Sequence, residues 1–294
     1  MHDLSTDQAE GLRRVRAGRG VTVVAITGGK GGVGKTISAV NIGTALCQLG
    51  RRVMLLDADL GMANVDLVLG LRAQFNLEHV IDGECELEDV ILTAPSGLQV
   101  VPASSGSFSM ANLGVASQVG LIRAFSDLVQ PLDVLLIDTA AGIGESVLTF
   151  TEAAQRVVVL VCDEPASITD AYGLIKVLSR RKAAAQVEIV ANMAESASQG
   201  RALYEKLVRV SQRFLGINPR YLGYVPRDDY LRRAVQQQTA VVSAYPSSPS
   251  ARAFQKLATN INKWVGINGS SGGLEFFVER LIGPEAVRQE DMFR

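Results

Sequence analysis

Residues that build metal centres and disulfide frameworks are scarce in this sequence. It has three cysteines and two histidines among 294 residues, and no two cysteines stand close enough to form a C-x-x-C pair. Neither a zinc site nor a disulfide framework is therefore expected. The cysteines are better explained as structural thiols of a protein that stays in a reducing cytosol.

Long apolar runs and an excess of basic residues are also missing. No stretch approaches the ~18 consecutive apolar residues that a membrane span requires, and residues 1–19, which carry acidic residues and arginines, do not resemble a signal peptide. Lys and Arg total 29, against 30 for Asp and Glu, and this balance argues against a protein that coats DNA. We expect a cytoplasmic protein that does not bind nucleic acid directly.

Short apolar runs alternate with helical stretches along most of the chain. Strands that are apolar on both faces are typical of a parallel sheet covered by helices on both sides. The alternation therefore predicts a doubly wound α/β fold with a mostly parallel sheet. The predicted strands are 21–27, 52–57, 98–101, 133–138, 157–162, 187–192 and 221–225. The predicted helices are 35–49, 116–128, 167–179, 201–214 and 250–265, with two short helical pieces between Asp59 and Pro95.

The same pattern divides the chain into a central domain and two ends. Residues 20–266 form the predicted domain, and residues 1–19 form a separate N-terminal segment that we expect to be flexible. A stretch rich in glycine and serine at 267–273 predicts a flexible linker. An amphipathic helix is predicted at 274–283, before a tail at 284–294. Its apolar face follows helical spacing and consists of Leu274, Phe277, Val278 and Leu281.

A glycine-rich turn follows the first predicted strand. From Gly29 to Thr36 the sequence fits G-x-x-x-x-G-K-[ST], the pattern of a phosphate loop. Glycines let several backbone N–H groups converge on one anion, and the following helix adds its positive end. We expect Lys35 to bridge the β- and γ-phosphates and Thr36 to bind Mg²⁺. The predicted loop comprises Gly29, Lys30, Gly31, Gly32, Val33, Gly34, Lys35 and Thr36.

Lys30 is a second lysine inside this loop, and it marks the deviant Walker A class. The segment resembles the MinD/ParA family, which also includes the nitrogenase iron protein. The resemblance implies a slow ATPase that uses ATP and Mg²⁺, releases ADP and phosphate, and is completed by homodimerisation. Lys30 would then reach across the dimer to the partner's phosphates, where a cation supplied by a second subunit neutralises charge only after the two subunits meet.

Two further strand ends carry carboxylates that fit the same family. Asp57 and Asp59 stand where the family has switch I, and the resemblance implies that Asp57 holds an Mg²⁺-bound water and Asp59 orients the attacking water. Asp138 resembles the Walker B aspartate and would act on the Mg²⁺ shell. Gly142 would let switch II sense the γ-phosphate. The family usually has proline where Ala140 stands, which loosens the match to partition ATPases.

Several residues on the same rim resemble the family's base pocket. Asn192 matches the adenine-reading asparagine, and a carboxamide can both donate and accept at the adenine edge. No Asn-Lys-x-Asp guanine motif occurs, so we expect ATP rather than GTP. Pro226 and Asp228 resemble a second base-contacting loop. Glu164 is expected to contact the nucleotide or the partner subunit.

The two ends of the chain narrow the resemblance to the FlhG (FleN) family of regulators of flagellar number. The resemblance implies that the regulator has protein partners, among them the flagellar master transcription activator of the FlrA/FleQ type and the flagellar C-ring. The C-terminal helix resembles a segment that binds the inner face of the cell membrane when ATP is bound; the alternative is that it packs on its own or another protein. The N-terminal residues resemble the segment that stimulates the FlhF GTPase, and these are Asp7, Gln8, Ala9, Leu12 and Arg13.

Three other functions are weighed against the flagellar regulator. A division-site selector, MinD proper, would usually have a more basic tail and lack the N-terminal segment. A DNA-partition ATPase of the ParA type would need a basic surface and Asp-Pro-Gln in switch I, where Leu60 and Gly61 follow Asp59. A metal-cluster ATPase needs cysteines in loops, whereas Cys47 and Cys162 fall in a predicted helix and strand. The first two remain as alternatives.

Overall fold

The computed structural model of the protein describes residues 20–59, 64–102, 124–125, 128, 131–181, 186–266 and 277. Within these ranges the strands belong to one eight-stranded sheet. In chain order they are β1 Thr22–Thr27, β2 Val53–Ala58, β3 Leu92–Thr93, β4 Gln99–Val101, β5 Val134–Thr139, β6 Arg156–Val161, β7 Gln186–Ala194 and β8 Arg220–Pro226.

The helices of the described residues lie between these strands and after them. They are α1 Lys35–Gln48, α2 Val65–Leu69, α3 Leu77–Ile81, α4 Leu87–Val90, α5 Glu145–Ala153, α6 Pro165–Arg180, α7 Ala197–Leu215, α8 Asp229–Gln236, α9 Val241–Ala244 and α10 Pro249–Asn262. None of these helices is both long enough and apolar enough to cross a membrane.

The sheet is parallel except at one edge. Its strand order is β3-β4-β2-β5-β1-β6-β7-β8, and only β3 runs antiparallel to its neighbour β4. Strand β1 lies in the middle, and every residue of β1 and β5 is buried, which explains their uninterrupted β-branched and aliphatic sequences. The loops that follow β1, β2, β5, β6 and β7 therefore meet at one edge of the sheet, where ligands bind in such folds.

Apolar side chains fill both faces of the sheet. One core contains residues of α1, α9 and α10, such as Phe254. The other contains residues of α5, α6 and α7, such as Leu174 and Leu203. Phe277 belongs to this second core and is only 2% exposed. The predicted C-terminal helix thus has at least one side chain packed on the protein's own domain.

The doubly wound α/β prediction is confirmed, but some of its parts are wrong. Between Asp59 and Pro95, where two short helices were predicted, the described residues form three. Two of them have clear end signals: α2 stops at the left-handed Gly70, and the Asn76 side chain caps α3 by accepting the Glu78 N–H. Strand β3 was not predicted, because two residues give no periodicity. Most of the helix predicted at 116–128 lies outside the described residues.

Candidate functional site

Three neighbouring strands bring the candidate site together at the carboxyl edge of the sheet. Ile26 of β1 pairs in register with Asp138 of β5, and Asp138 pairs with Asp57 of β2. The predicted phosphate loop begins at Gly29, three residues after Ile26. The predicted loop and the two predicted metal carboxylates therefore lie side by side, although up to 109 positions of sequence separate them.

The loop has the backbone of an anion-binding turn. Gly34, directly before α1, is left-handed with φ of 85°, and α1 has neither a side-chain cap nor an acidic residue in its first turn. Its free N–H groups and positive end are therefore unopposed. Position 29 requires a glycine because α6 passes close to it: a Cβ there would lie 2.2 Å from the Asp170 carbonyl carbon. Gly31 and Gly32 are exposed, so the loop is open to solvent.

Lys35 and Thr36 face the buried carboxylate of Asp138. Lys35 is 8% exposed, and the Thr36 hydroxyl donates a hydrogen bond to Asp138. Among the described residues, Oδ1 of Asp138 has no hydrogen-bond partner. Burial, together with the nearby charge of Asp57, raises the pKa of Asp138 to about 7, even though the Thr36 bond opposes the shift.

The second carboxylate, Asp57, holds the start of switch I. Its Oδ1 accepts the Asp59 N–H at 3.1 Å, and its Oδ2 accepts the N–H groups of Asn64 and Val65 at 3.0 and 3.2 Å. Burial raises the pKa of Asp57 to about 6 in spite of these three bonds. The two neighbouring carboxylates of Asp57 and Asp138 and the Thr36 hydroxyl form a set of hard oxygen donors, and one of these oxygens, Oδ1 of Asp138, has no partner among the described residues. Such a set suits Mg²⁺.

The backbone of switch II contacts the residue directly before the phosphate loop. The Gly142 N–H donates to the Gly28 carbonyl at 3.0 Å. The switch glycine therefore lies beside the start of the loop, and its N–H is bound to protein; its role in sensing a γ-phosphate stays a prediction. In order to contact a γ-phosphate, this N–H must leave the Gly28 carbonyl.

Lys30, the marker lysine, is ion-paired on its own chain. Its Nζ lies 2.9 Å from Oε2 of Glu164, the residue before α6, and both side chains are about half exposed. The pair raises the pKa of Lys30 and lowers that of Glu164 through their hydrogen bond and opposite charges. The structure therefore pairs two residues that the sequence assigned separately, Lys30 to the phosphate loop and Glu164 to the rim.

Asn192 is buried against the phosphate loop. Its Nδ2 donates to the Val33 carbonyl at 2.7 Å, and its Oδ1 accepts the Met193 N–H at 2.9 Å. The second amide hydrogen and the second lone pair of the oxygen remain, so adenine reading stays a prediction. Met193 is left-handed with φ of 56°, and no sequence signal pointed to it.

The second base-contacting loop has a structural explanation of its own. Asp228 caps α8 by accepting the Tyr230 N–H at 2.9 Å, and its other oxygen accepts the Ser250 N–H at 2.9 Å and the Ser250 hydroxyl at 2.6 Å. These bonds join the starts of α8 and α10. Pro226 ends β8 opposite Ala194. A role for either residue at the base stays a prediction.

The predicted partner segments lie almost wholly outside the described residues. Phe277 is the exception, and it is buried in the core that includes α6 and α7. The others are Asp7, Gln8, Ala9, Leu12, Arg13, Leu274, Val278 and Leu281.

Comparison with known proteins decides the family. A family model described as "ParA: NUBPL iron-transfer P-loop NTPase" matches residues 20–262. The chain belongs to the ParA/MinD family of P-loop ATPases. It is 53% identical over 262 residues to the antiactivator FleN of Pseudomonas aeruginosa, covering 89% of this chain and 94% of FleN. It is 31% identical to the flagellum site-determining protein YlxH of Helicobacter pylori, covering 80% of each chain.

A solved structure agrees with the fold. The cell division ATPase MinD of Pyrococcus furiosus superposes with a TM-score of 0.67 at 25% identity, covering 83% of this chain and 99% of that one. ATPase activity is thus a property of the family to which this ParA/MinD protein belongs.

Proposed function

We propose that this ATPase is a regulatory switch that dimerises around ATP and controls the number or placement of flagella. The observation that carries the proposal is the 53% identity to FleN along 94% of that protein, combined with a phosphate loop, marker lysine and carboxylate pair that are all present. The likeness to a flagellum site-determining protein points the same way.

The chain's own residues have defined roles in hydrolysis under this proposal. The loop N–H groups and Lys35 bind the triphosphate, and Thr36, Asp57 and Asp138 hold Mg²⁺, directly or through water. The Oδ1 atom of Asp138, which has no partner among the described residues, supports this assignment. When bound, Mg²⁺ neutralises charge on the phosphates. The backbone N–H of Asp59 donates a hydrogen bond to Asp57, and the Asp59 side chain orients the attacking water.

Dimerisation supplies the remaining charge. In the single chain Lys30 is paired with Glu164, so the lysine has to exchange this carboxylate for a phosphate of the second subunit. The exchange is easy because a half-exposed ion pair contributes little to stability. The attraction between Lys30 and the partner's phosphates stabilises the dimer more than the Lys30–Glu164 pair stabilises the single chain, because water is excluded from the dimer interface.

The C-terminal helix connects the nucleotide state to the membrane. Phe277 is packed in the domain core, so this residue has to leave the core before it can enter a bilayer. Burying the four apolar side chains of the helix is worth roughly 6–12 kcal/mol before ordering costs, and those costs remove much of it. One helix then binds weakly, whereas two in an ATP dimer gain about 10²–10⁴ in avidity.

Three protein partners complete the proposal. They are the FlhF GTPase, contacted by the segment from Asp7 to Arg13, the flagellar master transcription activator of the FlrA/FleQ type, and the C-ring. All three come from the resemblance to the flagellar family, and binding measurements with the full chain test each of them.

A genetic test separates the flagellar role from the alternatives. In a strain that lacks this protein, we expect a wrong number of flagella per cell in electron micrographs, corrected by the wild-type chain and not by Lys35→Ala. Lys263→Ala is the matched control, because it removes an exposed lysine at the C-terminal end of α10. This variant should restore the normal number of flagella. Normal flagella with misplaced division septa would support a division-site selector instead, and misplaced DNA would support a partition ATPase.

A further inference from the structure

The Asn192 side chain forms a tertiary contact with the backbone of the phosphate loop. It is 5% exposed, and its bond to the Val33 carbonyl, at 2.7 Å, joins residues 159 positions apart. The fit is close, since a Cβ added to Gly34 would lie 2.5 Å from Nδ2 of Asn192. Gly34 is therefore required by its neighbour as well as by its left-handed backbone.

A bulge in β7 aims Asn192 at the loop. The pairing of β7 with β8 shifts register between Ala191 and Ala194, and Met193 inside the bulge is left-handed, which is strained for a residue with a side chain. The strain is held by bonds on both sides: the Met193 N–H donates to Asn192 Oδ1 at 2.9 Å, and Nε of Arg227 donates to the Met193 carbonyl at 3.2 Å.

This bond fixes the orientation of one peptide group of the loop. In a planar trans peptide the C=O and N–H point in opposite directions. When Asn192 holds the Val33 carbonyl on its own side, the Gly34 N–H of the same peptide is directed to the other side. A carbonyl that was free to rotate could instead turn into the loop, where it would repel an anion.

We propose that Asn192 is a positioning residue that braces the phosphate loop in its anion-binding shape, whether or not a base is present. The inference rests on the proposed function in one respect, namely that residues 29–36 bind phosphate. It goes beyond base reading, because the brace acts on every phosphate ligand. A base-free ligand therefore distinguishes the two roles.

The test compares Mg²⁺·ATP with Mg²⁺·tripolyphosphate by titration calorimetry. Asn192→Asp keeps the shape of the side chain and the acceptor for the Met193 N–H, but its carboxylate cannot donate to the Val33 carbonyl and leaves that acceptor unsatisfied. We expect both ligands to bind about tenfold more weakly or worse, by a similar factor.

Asn260→Asp is the matched control. The Asn260 carboxamide also donates to a backbone carbonyl, that of Leu222 at 3.3 Å, but it joins α10 to β8 and not to the phosphate loop. Both variants are melted thermally without ligand. A purely structural role of Asn192 would lower the melting temperature without changing the tripolyphosphate affinity of the folded protein, and Asn260→Asp should leave both affinities unchanged.

Each outcome decides between the roles. Asn192→Asp also adds a negative charge beside the phosphates, so equal losses for the two ligands support the brace only when the uncharged variant Asn192→Ala reproduces them; an Asn192→Ala protein with wild-type affinity for both ligands overturns it. A loss for ATP with unchanged tripolyphosphate binding overturns it in favour of base reading alone, and wild-type protein that binds ATP but not tripolyphosphate contradicts a loop that is preformed without a base. Wild-type protein that binds neither ligand contradicts the ATP switch itself.

Discussion

Replacing Asp138 by asparagine should stabilise the nucleotide-free protein. Asp138 is 1% exposed, and Oδ1 has no hydrogen-bond partner among the described residues. Burial raises its pKa from 3.8 to about 7, so the folded state holds its proton more tightly than the unfolded state does. Stability from this group is present below pH 4 and is lost as the pH rises through about 7.

The size of the effect follows from the two pKa values. An uncharged asparagine does not have to ionise in a buried site, so it should add less than about 1 kcal/mol to the free energy of unfolding at pH 4 and about 2–4 kcal/mol at pH 7.5. That corresponds to a rise of several degrees in the melting temperature at pH 7.5. The same variant should lose Mg²⁺-dependent hydrolysis.

The assay is thermal or urea unfolding of both proteins with a chelator, between pH 4 and 7.5. Asp133→Asn is the matched control, at the residue directly before the same strand. Asp133 accepts three bonds from Arg52, which lower its pKa, so its removal should destabilise at neutral pH and matter less as the pH falls. If Asp138→Asn melts at or below the wild-type temperature throughout, our explanation of the buried carboxylate is wrong.

Three further predictions follow from the same site and from the C-terminal helix. Lys35→Ala should abolish ATP binding in calorimetry because it removes the buried cation of the loop, and normal affinity would refute the loop assignment. Asp59→Ala should accumulate as an ATP-bound dimer on gel filtration, since it keeps the phosphate contacts but loses the attacking water; a purely monomeric variant would count against that role. Phe277→Ala should lower the free energy of unfolding of the nucleotide-free chain by about 3–5 kcal/mol, the usual cost of emptying a core site, and an unchanged urea midpoint would mean that Phe277 is not packed in the core.

The sequence was sufficient where a local pattern determines the structure. The uninterrupted apolar runs of β1, β2 and β5 predicted buried parallel strands, and the spacing from Gly29 to Thr36 predicted the phosphate loop. Asp57 and Asp138 were both assigned to the metal, but the pattern could not show that they are paired in register on adjacent strands. That placement depends on strand order, in which β5 lies between β1 and β2.

Contacts between distant residues were beyond the sequence for a similar reason. No pattern joins Lys30 to Glu164, 134 positions away, or Asn192 to Val33. The left-handed Met193 has no signal either, because methionine does not favour that conformation and the surrounding bonds impose it. For Asp228 the sequence predicted only a base contact, and nothing in it indicated the bonds to Tyr230 and Ser250.

The central claim is that two chains complete each other's site through Lys30, and mixing two variants tests it most directly. Lys30→Ala keeps its own phosphate loop but has no lysine to offer, whereas Lys35→Ala offers Lys30 but cannot hold ATP. We predict that each alone hydrolyses little or no ATP and that an equal mixture recovers measurable phosphate release, because the mixed dimer has one complete site. Wild-type turnover by Lys30→Ala alone, or a mixture that stays inactive, would contradict the claim.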